Sequence, residues 1–217
     1  PDMEKEIQGV VLDHYPVRVY WPARMGSGGN VPPTCVSADA KTGSLPRNAG
    51  GEFGDCGTCK WAQFGSGTNA DGSPGRSQAC KKKHRVYVWL AGRDGIFPYL
   101  IPLPPTSAES KYEGSFSTYV VKLSGKLKTL HSVRTKIKLI KDSNKEGVEF
   151  AKAQFFYVAD LTANEKAQAA MLRERLKPAM RNKPLESDEA VDHAPVGHAA
   201  FDSGVVEAGG GKDPWEH

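Results

Sequence analysis

Arg85-Val86-Tyr87-Val88-Trp89-Leu90 reads as a β-strand. Gly92-Arg93-Asp94-Gly95 is turn-forming, and Phe97 to Leu103 is a return strand ended by prolines. Side chains alternate across a strand, so Val86, Val88 and Leu90 suit a core while Arg85, Tyr87 and Trp89 share the opposite face. Large rings beside a guanidinium on a solvent face predict a platform for stacking bases. Each stacked base contributes about 1–3 kcal/mol whatever its identity. The alternative is that Tyr87 and Trp89 pack beneath the neighbouring cysteine-rich segment.

Upstream, Val17-Arg18-Val19-Tyr20-Trp21, bracketed by Pro16 and Pro22, predicts a first strand. Downstream, Thr106-Ser107-Ala108-Glu109 has the form of a capping box. Tyr112, Phe116, Val120 and Leu123 then form one apolar helical face, closed by Gly125. Two strands follow at about 132–141 and 148–159, joined by the turn 142–147. Thr162-Ala163-Asn164-Glu165 repeats the box and opens a second helix, with Leu161 as its hydrophobic staple. Ala167, Ala170, Met171 and Leu172 supply that helix's apolar surface, and Pro178 limits it.

The expected fold is mainly β with helices (α+β). Its order is strand, insert, strand, strand, helix, strand, strand, helix. A five-stranded OB-like barrel has its strands in this sequence, with a helix between strands three and four, and its strand 2–3 face commonly receives oligonucleotides. Residues 1–160 form this domain, with an insert at 26–83 between strands one and two. Residues 161–182 form a C-terminal helix, and 183–217 an acidic, disordered tail.

In 133–141, Val133, Thr135, Ile137 and Leu139 fall on one side and Arg134, Lys136 and Lys138 on the other. Three cations in register can follow a phosphate backbone. In the next strand Ala151, Ala153, Phe155 and Tyr157 look inward, leaving Phe150, Lys152 and Gln154 beside those cations.

The insert holds 12 glycines and all four cysteines, with almost no helical or strand period, so hydrophobic packing cannot order it. Cys35, Cys56, Cys59 and Cys80 are separated by twenty, two and twenty residues. Cys56-Gly57-Thr58-Cys59 is a tight knuckle whose sulfurs can face one point, and Cys35 and Cys80 can close a tetrahedral structural Zn²⁺ site. Such a site contributes about 10–16 kcal/mol of apparent free energy to a small fold. Two disulfides, a redox pair or unrelated buried thiols are the alternatives. A Cys₄ set leaves no open position for metal catalysis. Lys60, Trp61 and Phe64 follow the knuckle. Lys81-Lys82-Lys83-His84 leads from Cys80 into Arg85, so rings and positive charge adjoin the metal site.

Charge is divided along the 217 residues. Residues 1–182 carry 27 Lys/Arg and 17 Asp/Glu, a net +10; residues 183–217 carry 2 and 8, a net −6. A basic body suits a polyanionic partner. No stretch approaches the ~20 apolar residues of a membrane-spanning helix, and the first residues lack the apolar core of a signal peptide. The expectation is therefore a soluble protein of the cell interior. There is no phosphate-binding Walker loop, no Gly-x-Ser-x-Gly elbow and no clustered carboxylates, so an enzyme is not expected.

Pro33-Thr34-Cys35-Val36-Ser37-Ala38-Asp39, Cys56 to Ser66, Gln78-Ala79-Cys80-Lys81 and Leu103-Pro104-Pro105-Thr106-Ser107 together resemble a group of phage and prophage proteins. These are similar to zinc-containing OB-fold single-stranded DNA-binding proteins, and the resemblance covers about residues 30–160. It implies Cys35, Cys56, Cys59 and Cys80 as metal ligands, and a place in the bacterial host cytoplasm. The acidic tail is similar in kind to the partner-recruiting tails of replication single-strand binders. Here it ends Asp213-Pro214-Trp215-Glu216-His217, without their terminal acidic run closed by Phe.

The expected function is sequence-tolerant single-stranded DNA binding in phage or mobile-element replication or recombination. Replication or recombination proteins are expected partners through the tail. A zinc-stabilised protein-interaction adaptor and a metal-dependent nucleic-acid enzyme are the competing readings.

Overall fold

The computed structural model describes residues 6–21, 33–44, 54–68, 72–90, 97–109, 111–143 and 149–183. Its strands are β1 (Glu6–Tyr20), β2 (Cys35–Ser37), β3 (Thr42–Gly43), β4 (Gly54–Asp55), β5 (Lys81–Trp89), β6 (Tyr99–Leu103), β7 (Val133–Ser143) and β8 (Glu149–Asp160). Its helices are α1 (Pro105–Ala108), α2 (Phe116–Ser124) and α3 (Ala163–Asn182). The large sheet is antiparallel in the order β6-β5-β1-β7-β8, with β2 added to the far end of β1 and the small pair β3–β4 beside it. The sheet is open: among the described residues β6 and β8 do not pair.

β1 is shared by both halves. It pairs with β7 from Glu6 to Gly9 and with β5 from Val10 to Val19. Gly9 stands at the handover because the backbones crowd there. A Cβ on Gly9 would lie 2.6 Å from the Trp89 carbonyl oxygen and 2.7 Å from Val88 Cγ1. The strand is longer than its sequence predicts, and Pro16 lies within it rather than before it. Pro16 pairs across to His84. On its other side β1 meets β7 only at 6–9 and β2 only at 18–20. A residue without an N–H breaks no ladder on that open stretch.

Two cores flank the sheet. On one face Val11, Val86, Val88 and Leu103 pack with Val133, Ile137 and Phe155 against Phe116, Tyr119 and Leu123 of α2. On the other, Val10, Leu12, Tyr15, Val17, Tyr87 and Trp89 pack beneath Ala169, Leu172, Leu176 and Met180 of α3.

The predicted helix from Thr106 is broken. α1 ends after one turn, and Gly114 turns the chain at φ +88°. Ser115 caps α2 by accepting from the Thr118 N–H. The broken segment also covers the free edge of β8. Ser107 Oγ accepts from the Ala153 N–H, the Gly114 carbonyl accepts from the Phe155 N–H, and Tyr112 Oη donates to the Ala153 carbonyl.

α3 opens with the predicted Thr162–Glu165 capping box above a buried Leu161. Pro178 lies inside it and exposed, so Pro178 does not end it. Of its predicted apolar residues only Leu172 is buried; Met171 is 59% exposed, and Ala167 and Ala170 also face out. Among the described residues no helix is long and apolar enough to cross a membrane. The turn 92–95 and the tail beyond 183 lie outside the described residues.

Candidate nucleic-acid interface and cysteine site

The stacking platform expected at Arg85, Tyr87 and Trp89 is not on the surface. All three are buried beneath α3, Arg85 at 1% exposure. The polar tips of Tyr15, Tyr87 and Arg85 cap the helix from below. Tyr15 Oη and Tyr87 Oη donate to the Met180 carbonyl at 2.6 and 2.8 Å, and Arg85 Nη1 donates to the Lys183 carbonyl at 2.6 Å. These are the carbonyls that a helix end leaves without partners. Arg181 closes the join with a two-pronged ion pair to buried Asp13, at 2.6 and 2.8 Å, and lies over the Tyr15 ring. The lysine run is likewise part of β5 and not a solvated patch. Lys83 is buried, Lys81 is half-buried, and Lys82 pairs with Glu109.

The face carrying Arg134, Lys136 and Lys138 is open. Directly paired residues share a face. The register therefore sets Lys136 beside Phe156, Lys138 beside Gln154, Ile140 beside Lys152 and Asp142 beside Phe150. Arg134 is tied to Glu165 at the start of α3. Lys136 Nζ stands 5.6 Å from the Phe156 ring centroid and 3.7 Å from Glu6. Lys152 pairs with Asp142 and lies against the Phe150 and Tyr112 rings. Lys138 has no ion pair among the described residues.

Sequence reasoning missed Phe156 and Tyr157, which are 37% and 42% exposed. Three successive rings, Phe155-Phe156-Tyr157, cannot all point inward on a strand, and this was the available signal. Tyr157 shares the inward face of Phe155 but stands where β8 outruns the core. The ladder also shifts between Arg134 and Thr135. Phe156 and Tyr157 border a shallow hollow of about 150 Å³ with Lys122 and Lys126, and Lys128 Nζ sits 4.5 Å from the Tyr157 centroid. Each face of this end of β8 thus carries one exposed ring with lysines beside it, of which Lys122 is paired with Glu113 and Lys128 with Asp160.

On the insert, Lys60 Nζ lies 4.7 Å from the Trp61 centroid. Trp61 stacks on Tyr20 at 5.0 Å and 16°, and Phe64 is 82% exposed. The four cysteines, none in a disulfide, line one cavity of about 240 Å³ with Arg18, Tyr20 and Trp61. Local hydrogen bonds bring them there. Asp55 accepts from the Gly57 N–H and turns the knuckle, the Cys56 N–H donates to Lys41, and the Cys80 N–H donates to Trp61. Cys35 Sγ and Cys56 Sγ lie 3.0 and 4.0 Å from the point a Cβ on Gly43 would occupy.

As the side chains stand, no three His, Cys, Asp or Glu among the described residues form a group that could hold a metal ion. The thiols share a cavity without converging to coordination distance. Burial pushes the Cys80 thiol up to about 11 against the opposing charge of Arg18. Arg18 Nε and Nη1 are themselves buried with no hydrogen-bond partner.

No family model, curated protein or solved structure matches the chain.

Proposed function

We propose that this is a sequence-tolerant, non-enzymatic single-stranded DNA-binding protein acting in phage or mobile-element replication or recombination. It grips unpaired strands around the exposed end of β7–β8, where both faces of β8 carry a ring. The observation that carries the reading is two exposed rings with cations beside them at one end of the sheet: Phe156 with Lys136 and Lys138 on the outer face of β7–β8, and Tyr157 with Lys126 and Lys128 on the face toward α2. Stacking needs only a π-face from each base, and the lysines suit successive phosphates. The strand order supports an OB-like ancestry. Counting only the long strands, it runs third, second, first, fourth, fifth, with helices between third and fourth. That is the order of an OB barrel opened between its third and fifth strands. α3 occupies the outer face of the second strand, so the ligand face moves to the fourth and fifth. The insert's Tyr20–Trp61–Lys60 stack and Phe64 extend the same chemistry to a second surface.

A structural Zn²⁺ fits the cysteine cavity in charge. A tetrathiolate zinc centre carries two net negative charges, and Arg18 offers buried N–H donors with nothing else to bond. Cys35, Cys56, Cys59 and Cys80 would hold the ion, and its bonds would order an insert that has little core of its own. Recruitment of replication proteins through the acidic tail belongs to the same proposal.

The test is anisotropy of a labelled thymidine homopolymer at two salt concentrations, with duplex DNA as comparison and metal content measured on the same sample. Expected are preference for the single strand and a log–log salt slope of about −0.7 per contacted phosphate. Phe156→Ala and Tyr157→Ala should each weaken binding by about 1–3 kcal/mol without loss of fold. A homopolymer left unbound by micromolar protein in dilute buffer, or full affinity in both variants, refutes the reading.

A further inference from the structure

A cavity of about 360 Å³ lies between β1, α2, the turn at 130–132 and α3, with neither Phe156 nor Tyr157 in its lining. It falls within the range of about 300–1,000 Å³ typical of small-ligand sites and exceeds what a bare inorganic ion needs. Its floor is apolar, built from Val11, Leu12, Val120, Leu123 and Leu130. Its rim is cationic, with Lys128, Arg173 and Arg181 facing one carboxylate, Asp13. Asp13 is already held in two-pronged fashion by Arg181. Lys128 pairs with Asp160 and Arg173 with Glu174, but neither of those carboxylates lines the cavity. Exposed pairs of this kind contribute little, so both cations can turn onto a stronger anion. Thr129 and the imidazoles of His14 and His131 add hydrogen-bonding groups on the same rim. The nearby carbonyls at the end of α2 are taken by the N–H groups of Gly125, Lys126 and Leu127. Burial lowers the His14 pKa, with Asp13 opposing and Arg181 and Arg173 assisting; burial and then Arg173 lower that of His131, with Glu174 opposing. With three cations and one carboxylate, the lining carries net positive charge.

We infer that this cavity binds the phosphate monoester of a nucleotide, either free or at the end of a strand, with Lys128 and Arg173 on the phosphate and the apolar floor beneath the nucleoside. Lys128 also donates to Tyr157 Oη at 3.2 Å, so one side chain borders both the cavity and the ring surface. A strand lying on the rings would reach the cavity with its terminus. This strand-end form rests on the function proposed above; the free-nucleotide form does not.

The experiment is calorimetric titration of the full chain with thymidine monophosphate and with thymidine. Short thymidine oligonucleotides bearing a 5′-phosphate, a 3′-phosphate or hydroxyl ends follow. The monophosphate should bind and thymidine should not. Arg173→Gln should weaken the monophosphate about tenfold, and Glu174→Gln, which frees Arg173, should tighten it several-fold. Both variants should keep the wild-type melting temperature and homopolymer affinity within twofold. A phosphorylated end that tightens oligonucleotide binding in the wild type, but not in Arg173→Gln, assigns the strand terminus. Monophosphate binding without an end effect assigns the free nucleotide. No heat with millimolar monophosphate and no end effect overturns the inference, as does unchanged affinity in both variants. Failure of the homopolymer to bind while the monophosphate binds would overturn the strand-binding proposal alone.

Discussion

His14 and His84 form a pair whose protonation should loosen the fold. His14 Nδ1 and His84 Nε2 are 2.9 Å apart, the rings stack at 5.2 Å, and the Phe116 ring stands 5.0 and 5.1 Å from them. One proton can lie between the facing nitrogens; a second would set two N–H groups against each other. Burial first, and His14 second, push His84 down to about 4 from 6.5, with Lys82 lowering it further and Glu109 opposing. His14 is lowered too, first by burial, with Asp13 opposing and Arg181 and Arg173 assisting. The folded state thus resists protons that the unfolded chain accepts. Stability is full above about pH 6.5 and is lost as pH falls toward about 4. For His84 the drop corresponds to about 3 kcal/mol in all, of which about 2 kcal/mol is lost between pH 7 and pH 4.5. The assay is urea unfolding of wild type and His84→Gln across that range. The variant should start less stable but lose about 2 kcal/mol less, because the carboxylates common to both cancel. Parallel losses in the two proteins would refute the argument.

Leu172→Ala should cost about 2–5 kcal/mol and Met171→Ala almost nothing, since only the first faces the sheet; denaturant midpoints check both. Gly9→Ala should destabilise by about 1–3 kcal/mol, because its methyl meets the Trp89 backbone carbonyl, which cannot yield, as well as the Val88 and Leu90 side chains; thermal unfolding reads this directly. Trp89→Ala should lose about 3–5 kcal/mol of stability, and any fall in oligonucleotide affinity should track the unfolded fraction. Arg18→Met should weaken metal retention against a competing chelator and alter the thiolate-to-metal absorption of the cobalt-substituted protein; identical behaviour would remove Arg18 from the metal's surroundings.

β5 to β8, their approximate limits and the α3 capping box were legible because each is written in a local pattern, whereas the first eleven residues of β1 were not. Burial of a face was not. Alternation in 85–89 shows that Arg85, Tyr87 and Trp89 point the same way, but what covers them is a helix eighty residues later. The missing step was α3 itself. Leu172, Leu176 and Met180 recur every fourth residue, so that helix needs an apolar surface, and the ringed face of β5 supplies one. The helix at 106–123 was misread because its apolar spacing outweighed Gly114, whose positive φ breaks it. For the cysteines, spacing and the lack of local hydrophobic order point to one zinc site; the structure gathers all four around one cavity, and among the described residues no three form a metal-holding group.

The position of β1 governs the order of events on the ribosome. Gly9 finds Thr135 across the ladder only after 126 further residues have been made. Until then residues 6–9 of the strand lack their β7 partner, and the first core lacks Val133, Ile137, Ala153 and Phe155. Non-local pairing of this kind slows folding and leaves apolar surface open during synthesis. A nascent chain arrested before residue 133 should therefore engage holding chaperones, and release should follow emergence of the last two strands.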